Sequence, residues 1–342
     1  MNNEKLISIH LNSNKPGYFE EFIQSLVKNT NNLDLVEVIV SIDKDDFKML
    51  SLIDVINSKY PGFIKKIETN LIKSFSDAWK PLNILLNMTS PSVKYISCMS
   101  DDIRFRTNNW DTYILGYENY FTDNIFRIRC SKYKKETYED IWQCGYKPDS
   151  YAFYTKKWLE IAEIWNPCIG PDTFQECIAY YMRKQYGKRY NRDLVDENIA
   201  FDGQEVSTGM KFKNRIQRTR IYYKAFFILM SYKVQSLANK KAYKISCAID
   251  PKNISYKKLN FFKITYTNFV RRFNFFYHRG SPNHFINSKL KNIIFFIWCY
   301  TEFLDNILIK IIIFLNNKGI IEKIIKDKKK LDQIKSIISH ES

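Results

Sequence analysis

Short continuous apolar runs punctuate the first part of the chain: Leu6–Leu11 (LISIHL), Val36–Ile42 (VEVIVSI), Ile64–Glu68 and Val93–Met99 (VKYISCM). Runs of this length and apolarity read as buried strands. Between them the apolar positions change period. Phe19, Phe22, Ile23, Leu26 and Val27 recur at helical spacing, a helix is predicted around 47–58, and residues 76–88 read as helical despite Pro81. Strands alternating with helices predict an α/β fold with a largely parallel sheet.

Polar residues gather where the runs stop. Asn12-Ser13-Asn14-Lys15-Pro16-Gly17 follows the first strand, Asp43-Lys44-Asp45-Asp46 the second, and Ser100-Asp101-Asp102 the fourth. In open α/β sheets ligands sit beyond these C-terminal strand ends. Past Trp110 the mixed pattern continues. Strands are expected at Phe126–Cys130 and Tyr151–Tyr154, with helices from Lys156 to Trp165 and from Asp172 to about Arg183. After about residue 205 the character changes, and 215–238 and 289–316 read as long basic or apolar helices. The expected division is an α/β domain over 1–205 and a basic helical region over 206–342. No internal repeat and no glycine-rich linker is present.

A hydrophobic fraction of 45%, with 16% aromatic, supplies a packed core and excludes a disordered composition. Lys, Asn and Ile are abundant in a way that fits AT-rich coding, so part of the +17 formal charge reflects composition alone. Its distribution is more telling. Residues 1–200 carry 26 Lys+Arg against 27 Asp+Glu, whereas residues 201–342 carry 27 against 9. A neutral part followed by a strongly basic one points to an anionic partner, a membrane surface or nucleic acid. The cysteines are Cys98, Cys130, Cys144, Cys168, Cys177, Cys247 and Cys299, an odd number with no CxxC pair. A disulfide framework or zinc site is not expected, and a reducing cytosol fits best. No secretory signal is expected at the N-terminus.

Adjacent carboxylates at a strand end, as at Asp101-Asp102, can hold a hard divalent cation through oxygen. The plain structural alternative is a solvated turn with an aspartate cap. Asp43, and less so Asp45 or Asp46, could likewise accept hydrogen bonds from a ribose or base; the plain alternative is that the whole cluster simply caps the next helix. The four histidines are scattered, and His10, within a strand, reads as structural. The sequence holds no nucleophile elbow, P-loop or GxGxxG fingerprint, which argues against hydrolase, kinase and dinucleotide enzymes.

In their order and spacing these pieces resemble the GT-A glycosyltransferases of the family-2-like kind, over roughly the first 200 residues. Asn12-Ser13-Asn14-Lys15-Pro16 resembles that family's Thr-Arg-Asn-Arg-Pro loop. Asp43 stands where the family has a carboxylate after the second strand. Ser100-Asp101-Asp102 resembles the Asp-x-Asp-like triplet, and Phe105 to Trp110-Asp111 resembles a stretch found in several bacterial and phage members. The resemblance implies a nucleotide-sugar donor contacted by Asn12, Asn14, Lys15, Asp43 and Asp101. It also implies a divalent cation, Mn²⁺ or Mg²⁺, held by Asp102 and Asp101. Because Ser100 carries no carboxylate, Asp102 is the expected direct metal contact, and Asp101 a ribose or outer partner. The family's catalytic base opens a helix after the metal motif. Asp172 in Gly170-Pro171-Asp172-Thr173 matches that place, and Glu176 one turn later is the second candidate; Asp172 could also be only a helix cap, with Gln175 completing a capping box. The implied activity is inverting sugar transfer to a glycan or lipid-linked acceptor, in surface polysaccharide assembly. A non-catalytic interaction protein on the same fold, or a nucleic-acid binder using the basic tail, are the alternatives.

Residues 292–315 are long enough to span a bilayer, but Glu302, Asp305 and Lys310 interrupt them. Each central charge costs about 2.5–3.5 kcal/mol on insertion. The polar positions form one stripe, which favours an interfacial or bundle helix over a span. Lysines flank the segment on both sides, and that pattern suits the anionic inner face of a cell membrane.

Overall fold

A computed structural model describes residues 4–71, 77, 79–130, 141, 151–168, 170–203, 228–252 and 254–267. The strands are β1 (Ile7–Asn12), β2 (Val36–Asp43), β3 (Ile64–Thr69), β4 (Tyr95–Cys98), β5 (Ile103–Phe105), β6 (Arg127–Arg129), β7 (Phe153–Thr155), β8 (Asp193–Val195) and β9 (Phe201–Gly203). The α-helices are α1 (Pro16–Asn29), α2 (Phe47–Lys59), α3 (Lys80–Asn87), α4 (Trp110–Leu115), α5 (Lys156–Ala162), α6 (Pro171–Tyr181) and α7 (Tyr232–Ile249). The predicted helix over 215–238 lies partly outside the described residues, and those over 289–316 and 292–315 lie wholly outside them.

Seven strands form one sheet in the order β3-β2-β1-β4-β7-β6-β8. The pairs β2–β3, β1–β2, β1–β4 and β6–β8 are parallel, while β7 runs antiparallel to both β4 and β6. The expected α/β class with a mostly parallel sheet is therefore the observed one. The central strands β1 and β2 bury nearly every residue, as strands of a parallel sheet covered on both faces do. Helix α1 packs with the stripe its spacing predicts, Phe19, Phe22, Ile23 and Leu26. β5 leaves the main sheet and pairs with β9 as a separate two-stranded ribbon.

The buried polar residues explain several sequence features that carry no ligand chemistry. Trp110 donates through Nε1 to Thr30 Oγ1 at 3.0 Å, and the buried Asp111 accepts from the amides of Asn31 and Asn32 at 2.8 and 2.9 Å. The Trp110-Asp111 pair thus clamps the connection between α1 and β2. His10 lies in the core of β1. Trp165 Nε1 donates to its Nδ1 at 3.1 Å, and Ser8 and Thr89 hydroxyls lie 3.1 Å from Nε2. With Nδ1 accepting, the proton sits on Nε2. Burial depresses this imidazole to about 3, so it is neutral and structural.

Residues up to Thr265 form one compact unit, and Tyr266–Ser342 cluster separately. Helix α7, beyond the division expected at 205, belongs to the first unit. Its apolar face of Val234, Ala238, Ala242 and Ile245 is buried, and it packs on α5 and α6. Tyr181 donates to Gln235 at 2.9 Å, and Lys241 and Lys244 both reach Glu163. Among the described residues no helix is long and apolar enough to cross a membrane. The described cysteines Cys98, Cys130, Cys168, Cys177 and Cys247 are free thiols.

Candidate active site at the strand ends

Because β1, β2, β3, β4, β6 and β8 share one direction, their C-terminal ends line one edge of the sheet. The polar segments after β1, β2 and β4 consequently meet there, although they are far apart in sequence. Ser13 continues the pairing of β1, its amide donating to Ser41 O at 3.1 Å, and Met99 N donates to His10 O at 2.9 Å. The first bond holds the turn after β1 against β2, and the second brings the end of β4 alongside β1. Ser13 Oγ then donates to Asp101 Oδ2 at 2.6 Å. Ser13 is buried, and it stands inside the Asn12–Pro16 turn that the sequence marks, although only its neighbours were expected to act.

Asp101 is mostly enclosed. Burial pushes its carboxyl above the usual range; the Ser13 hydroxyl works against that, the charge of Asp102 adds to it, and Lys15 works against it. Asp102 is partly exposed and takes a contact from the Ser100 hydroxyl. Ser100, which carries no carboxylate, therefore contacts and orients Asp102. Arg104 braces the turn from behind, Nη1 donating to Asp101 O at 2.9 Å and to Ile103 O at 2.7 Å, while Nη2 pairs with Glu21. Asn14 and Lys15 are exposed at the head of α1, and Asn12 is the half-buried last residue of β1.

At the next strand end the three aspartates separate by role. Asp46 caps α2, accepting from Met49 N at 3.1 Å. Asp43 keeps its side chain at the tip of β2, where burial, then the charges of Asp45 and Asp46, raise its carboxyl. Lys15, Asp43, Asp101 and Asp102 thus occupy the turns of adjacent parallel strands.

Asp172 lies in the first turn of α6. Gly170 before it has φ +92°, a conformation that non-glycine residues rarely adopt. A Cβ there would lie 3.3 Å from Thr173 Oγ1. Thr173 Oγ1 donates to Asp172 Oδ1 at 3.5 Å. After burial, the charge of Asp172 is what raises the Cys98 thiol, which sets this carboxylate near the end of β4. Gln175 does not complete a capping box. Its Nε2 donates to Ile164 O and Trp165 O, and its Oε1 accepts from Trp158 Nε1.

Glu176 behaves differently from Asp172, although one helical turn separates them. It is fully buried, and Oε2 takes a hydrogen bond from Arg127 Nη2 at 2.7 Å. Arg127 also grips both carboxylate oxygens of Asp193, at 2.6 and 2.9 Å. The expectation that Glu176 faces an acceptor is therefore corrected: its side chain points into the sheet, ties α6 to β6 and β8, and is shielded from any hydroxyl. Asp172 is left as the candidate base.

Among the described residues no three His, Cys, Asp or Glu side chains gather closely enough to hold a metal by themselves. The Asp101-Asp102 pair nevertheless fits a hard cation of the Mg²⁺ or Mn²⁺ type. Such ions take oxygen donors, and commonly bind through one or two carboxylates, with phosphates and water filling the other positions. Among the described residues the one thiol near this edge is the half-buried Cys98, which burial and then the charge of Asp172 push up, so it stays protonated.

No protein-family model and no curated protein matches the chain. Among solved structures it is similar to the mannosyltransferase PcManGT from Pyrobaculum calidifontis, crystallised with GDP-Man and Mn²⁺, at 10% identity and a TM-score of 0.47 over 81% of this chain and 82% of that one. TarS from S. aureus, residues 1–349 with UDP-GlcNAc, gives 13% identity and a TM-score of 0.45 over 72% and 73%. Glucosyl-3-phosphoglycerate synthase from Mycobacterium tuberculosis, with Mn²⁺, UDP and glucosyl-3-phosphoglycerate, gives 10% and 0.42 over 66% and 79%. Likeness at this level concerns the course of the backbone only; residue roles rest on the side chains described above.

Proposed function

We propose that this chain is a GT-A-type glycosyltransferase that moves a sugar from a nucleotide-sugar donor to an acceptor hydroxyl with inversion. The observation that carries the reading is the Ser13–Asp101 hydrogen bond at 2.6 Å. It joins the two loops that the sequence resemblance assigns to nucleotide and diphosphate, with Asp102 next along the chain.

In this reading Asn12, Asn14 and Lys15 contact the donor's nucleotide and phosphates, and Asp43 accepts from the ribose or base. Asp102 would hold a divalent cation, with Asp101, fixed by Ser13, beside it or on the ribose. The bound cation supplies neutralisation of charge on the departing nucleoside diphosphate. Asp172 takes the proton of the acceptor hydroxyl as its oxygen attacks the anomeric carbon, while the bond from that carbon to the diphosphate breaks. The acceptor is a glycan or lipid-linked sugar, the transferred group a hexose or its relative, and the setting surface polysaccharide assembly. The strongly basic region from residue 206 docks the protein on the inner, anionic face of a membrane; the charge split of the chain supports this.

The test is a screen of UDP-, GDP-, dTDP- and CMP-sugars for binding and turnover with Mn²⁺ or Mg²⁺. One donor is expected to bind only with a cation present. Cation-dependent turnover that persists in Asp102→Ala would remove the metal role given to that residue, and no binding of any sugar nucleotide would remove the whole reading.

A further inference from the structure

The segment after α7 presents aromatic rings to solvent in a strongly basic setting. Phe262 is 80% exposed, Phe261 51% and Tyr256 41%. Lys252, Lys257, Lys258 and Lys263 stand exposed among them. Residues 228–267 contain eight lysines and a single acidic residue, Asp250, and Asp250 is engaged by Arg189 at 3.2 Å.

These side chains are mounted on fixed backbone. Leu259 is buried, and Tyr232 OH donates to its carbonyl at 3.4 Å. Asn239 Nδ2 donates to Lys257 O at 2.8 Å, and Lys257 Nζ reaches Gln185 O at 2.8 Å. Asn260 then caps a helical start, its Oδ1 accepting from Lys263 N at 2.9 Å and its carbonyl from Ile264 N at 3.1 Å. Phe261 stacks edge-on against Tyr232 and against Phe262, at centroid distances of 5.0 and 5.5 Å.

We infer that residues 256–263 form a docking element for an anionic lipid bilayer, Phe261 and Phe262 entering the interface while Lys258 and Lys263 meet lipid phosphates. Aromatic rings favour the headgroup level, lysines alongside add attraction to acidic lipids, and rings held in place need little further ordering on binding. A second copy of this face would bring like charges together. The chain that follows continues basic and apolar, with the long apolar run at 292–315, which fits a lipid partner better than a nucleic acid. The inference deepens the membrane-docking part of the proposed function and is independent of the transfer chemistry.

The test is flotation of the full chain with phosphatidylcholine vesicles, with and without a quarter of phosphatidylglycerol, together with amide hydrogen exchange. The expected result is flotation with the anionic vesicles only, weakened by salt, with slowed exchange over 261–267. The double variant Phe261→Ser/Phe262→Ser should lose on the order of tenfold or more in partitioning. Lys258→Glu/Lys263→Glu should lose about fivefold or more per lysine. All four side chains are exposed, so the thermal midpoint should hold; should the aromatic variant fail to fold, the lysine variant and the exchange data decide. If the wild type floats and both variants float equally well, docking lies elsewhere in the basic region and the inference fails while membrane docking stands. Absence of vesicle binding, with concentration-dependent self-association or retention on single-stranded DNA, would overturn both. None of these outcomes depends on whether a sugar donor turns over.

Discussion

Asp101 and Asp102 are neighbours in sequence but differ in their hydrogen-bond partners, and the roles proposed for them rest on that difference. Both are half-buried, but burial raises the Asp101 carboxyl, which takes the Ser13 hydroxyl, whereas Asp102 takes that of Ser100. Asp102→Ala should therefore lower cation-dependent turnover by about 10²–10³-fold, the range seen when one preorganised electrostatic group is removed, and should abolish the response to added Mn²⁺. Ser13→Ala should cost less, shifting donor affinity more than turnover. Asp172→Asn should leave donor binding intact and reduce kcat by about 10²–10⁴-fold, the usual contribution of a positioned base; steady-state kinetics with whichever sugar nucleotide the screen selects separate the two effects. His10 makes a stability prediction instead. Its folded-state value is depressed to about 3 from an ordinary 6.5. The unfolded chain takes up a proton below about pH 6.5 that the folded chain refuses. The stability that neutral His10 contributes is complete above that pH and is lost as the pH falls toward 3, with a slope approaching ~1.4 kcal/mol per pH unit. Urea unfolding at pH 7, 6, 5 and 4 should show that slope, and His10→Gln should flatten it.

At the scale of elements, α6 carries the candidate base at its tip and a buried ion pair in its body. The Arg127–Glu176–Asp193 cluster fixes where α6 lies on the sheet, so Asp172 depends on an interaction it does not make. Glu176→Gln leaves Arg127 with one charged partner, Asp193, in place of two, and should destabilise by about 1–3 kcal/mol in chemical unfolding. Activity per folded molecule should change little; a kcat loss that exceeds the unfolded fraction would return Glu176 to the catalytic list. The Trp110-Asp111 element has a similar status. The sequence resemblance marks it, but the structure uses it to hold two backbone amides at the start of the loop before β2. Asp111→Asn turns an amide group toward an amide donor, at a cost of about 1–3 kcal/mol, measurable as a lowered unfolding midpoint. Most elements were legible from period alone: the observed β1, β2 and β3 lie within a residue of the predicted runs. The three-residue strands β5, β8 and β9 were not foreseen, because so short a strand has no periodicity and exists only through its partner.

At the scale of the whole molecule, the charge split and the structural boundary do not coincide. Composition changes near residue 205, yet α7 packs against α5 and α6 and the compact unit runs to Thr265. A chain ending at Thr265 should accordingly fold by itself, with an unfolding midpoint within a few degrees of the full chain and donor affinity retained; ending at 205 should expose the faces of α5 and α6 that α7 covers and give an unstable, aggregating product. Circular dichroism melts of the two truncations check this. Part of the basic surplus thus lies within the folded unit, on α7 and the segment after it.

The sequence by itself determined the α/β class, the strands at the centre of the sheet, the helical stripe of α1, and the strand-end aspartates as candidates, because each follows from the local alternation of apolar and polar residues. It did not decide which of those aspartates serve as caps, which carboxylate of α6 is buried in an ion pair, or that Ser13 and Asp101 are bonded. Those outcomes depend on strand order: placing β4 beside β1 joins turns 88 residues apart, and placing β6 and β8 beneath α6 commits Glu176 to Arg127. Side-chain periodicity records which face of an element is buried, whereas the partner against which it is buried is a property of the packed sheet alone.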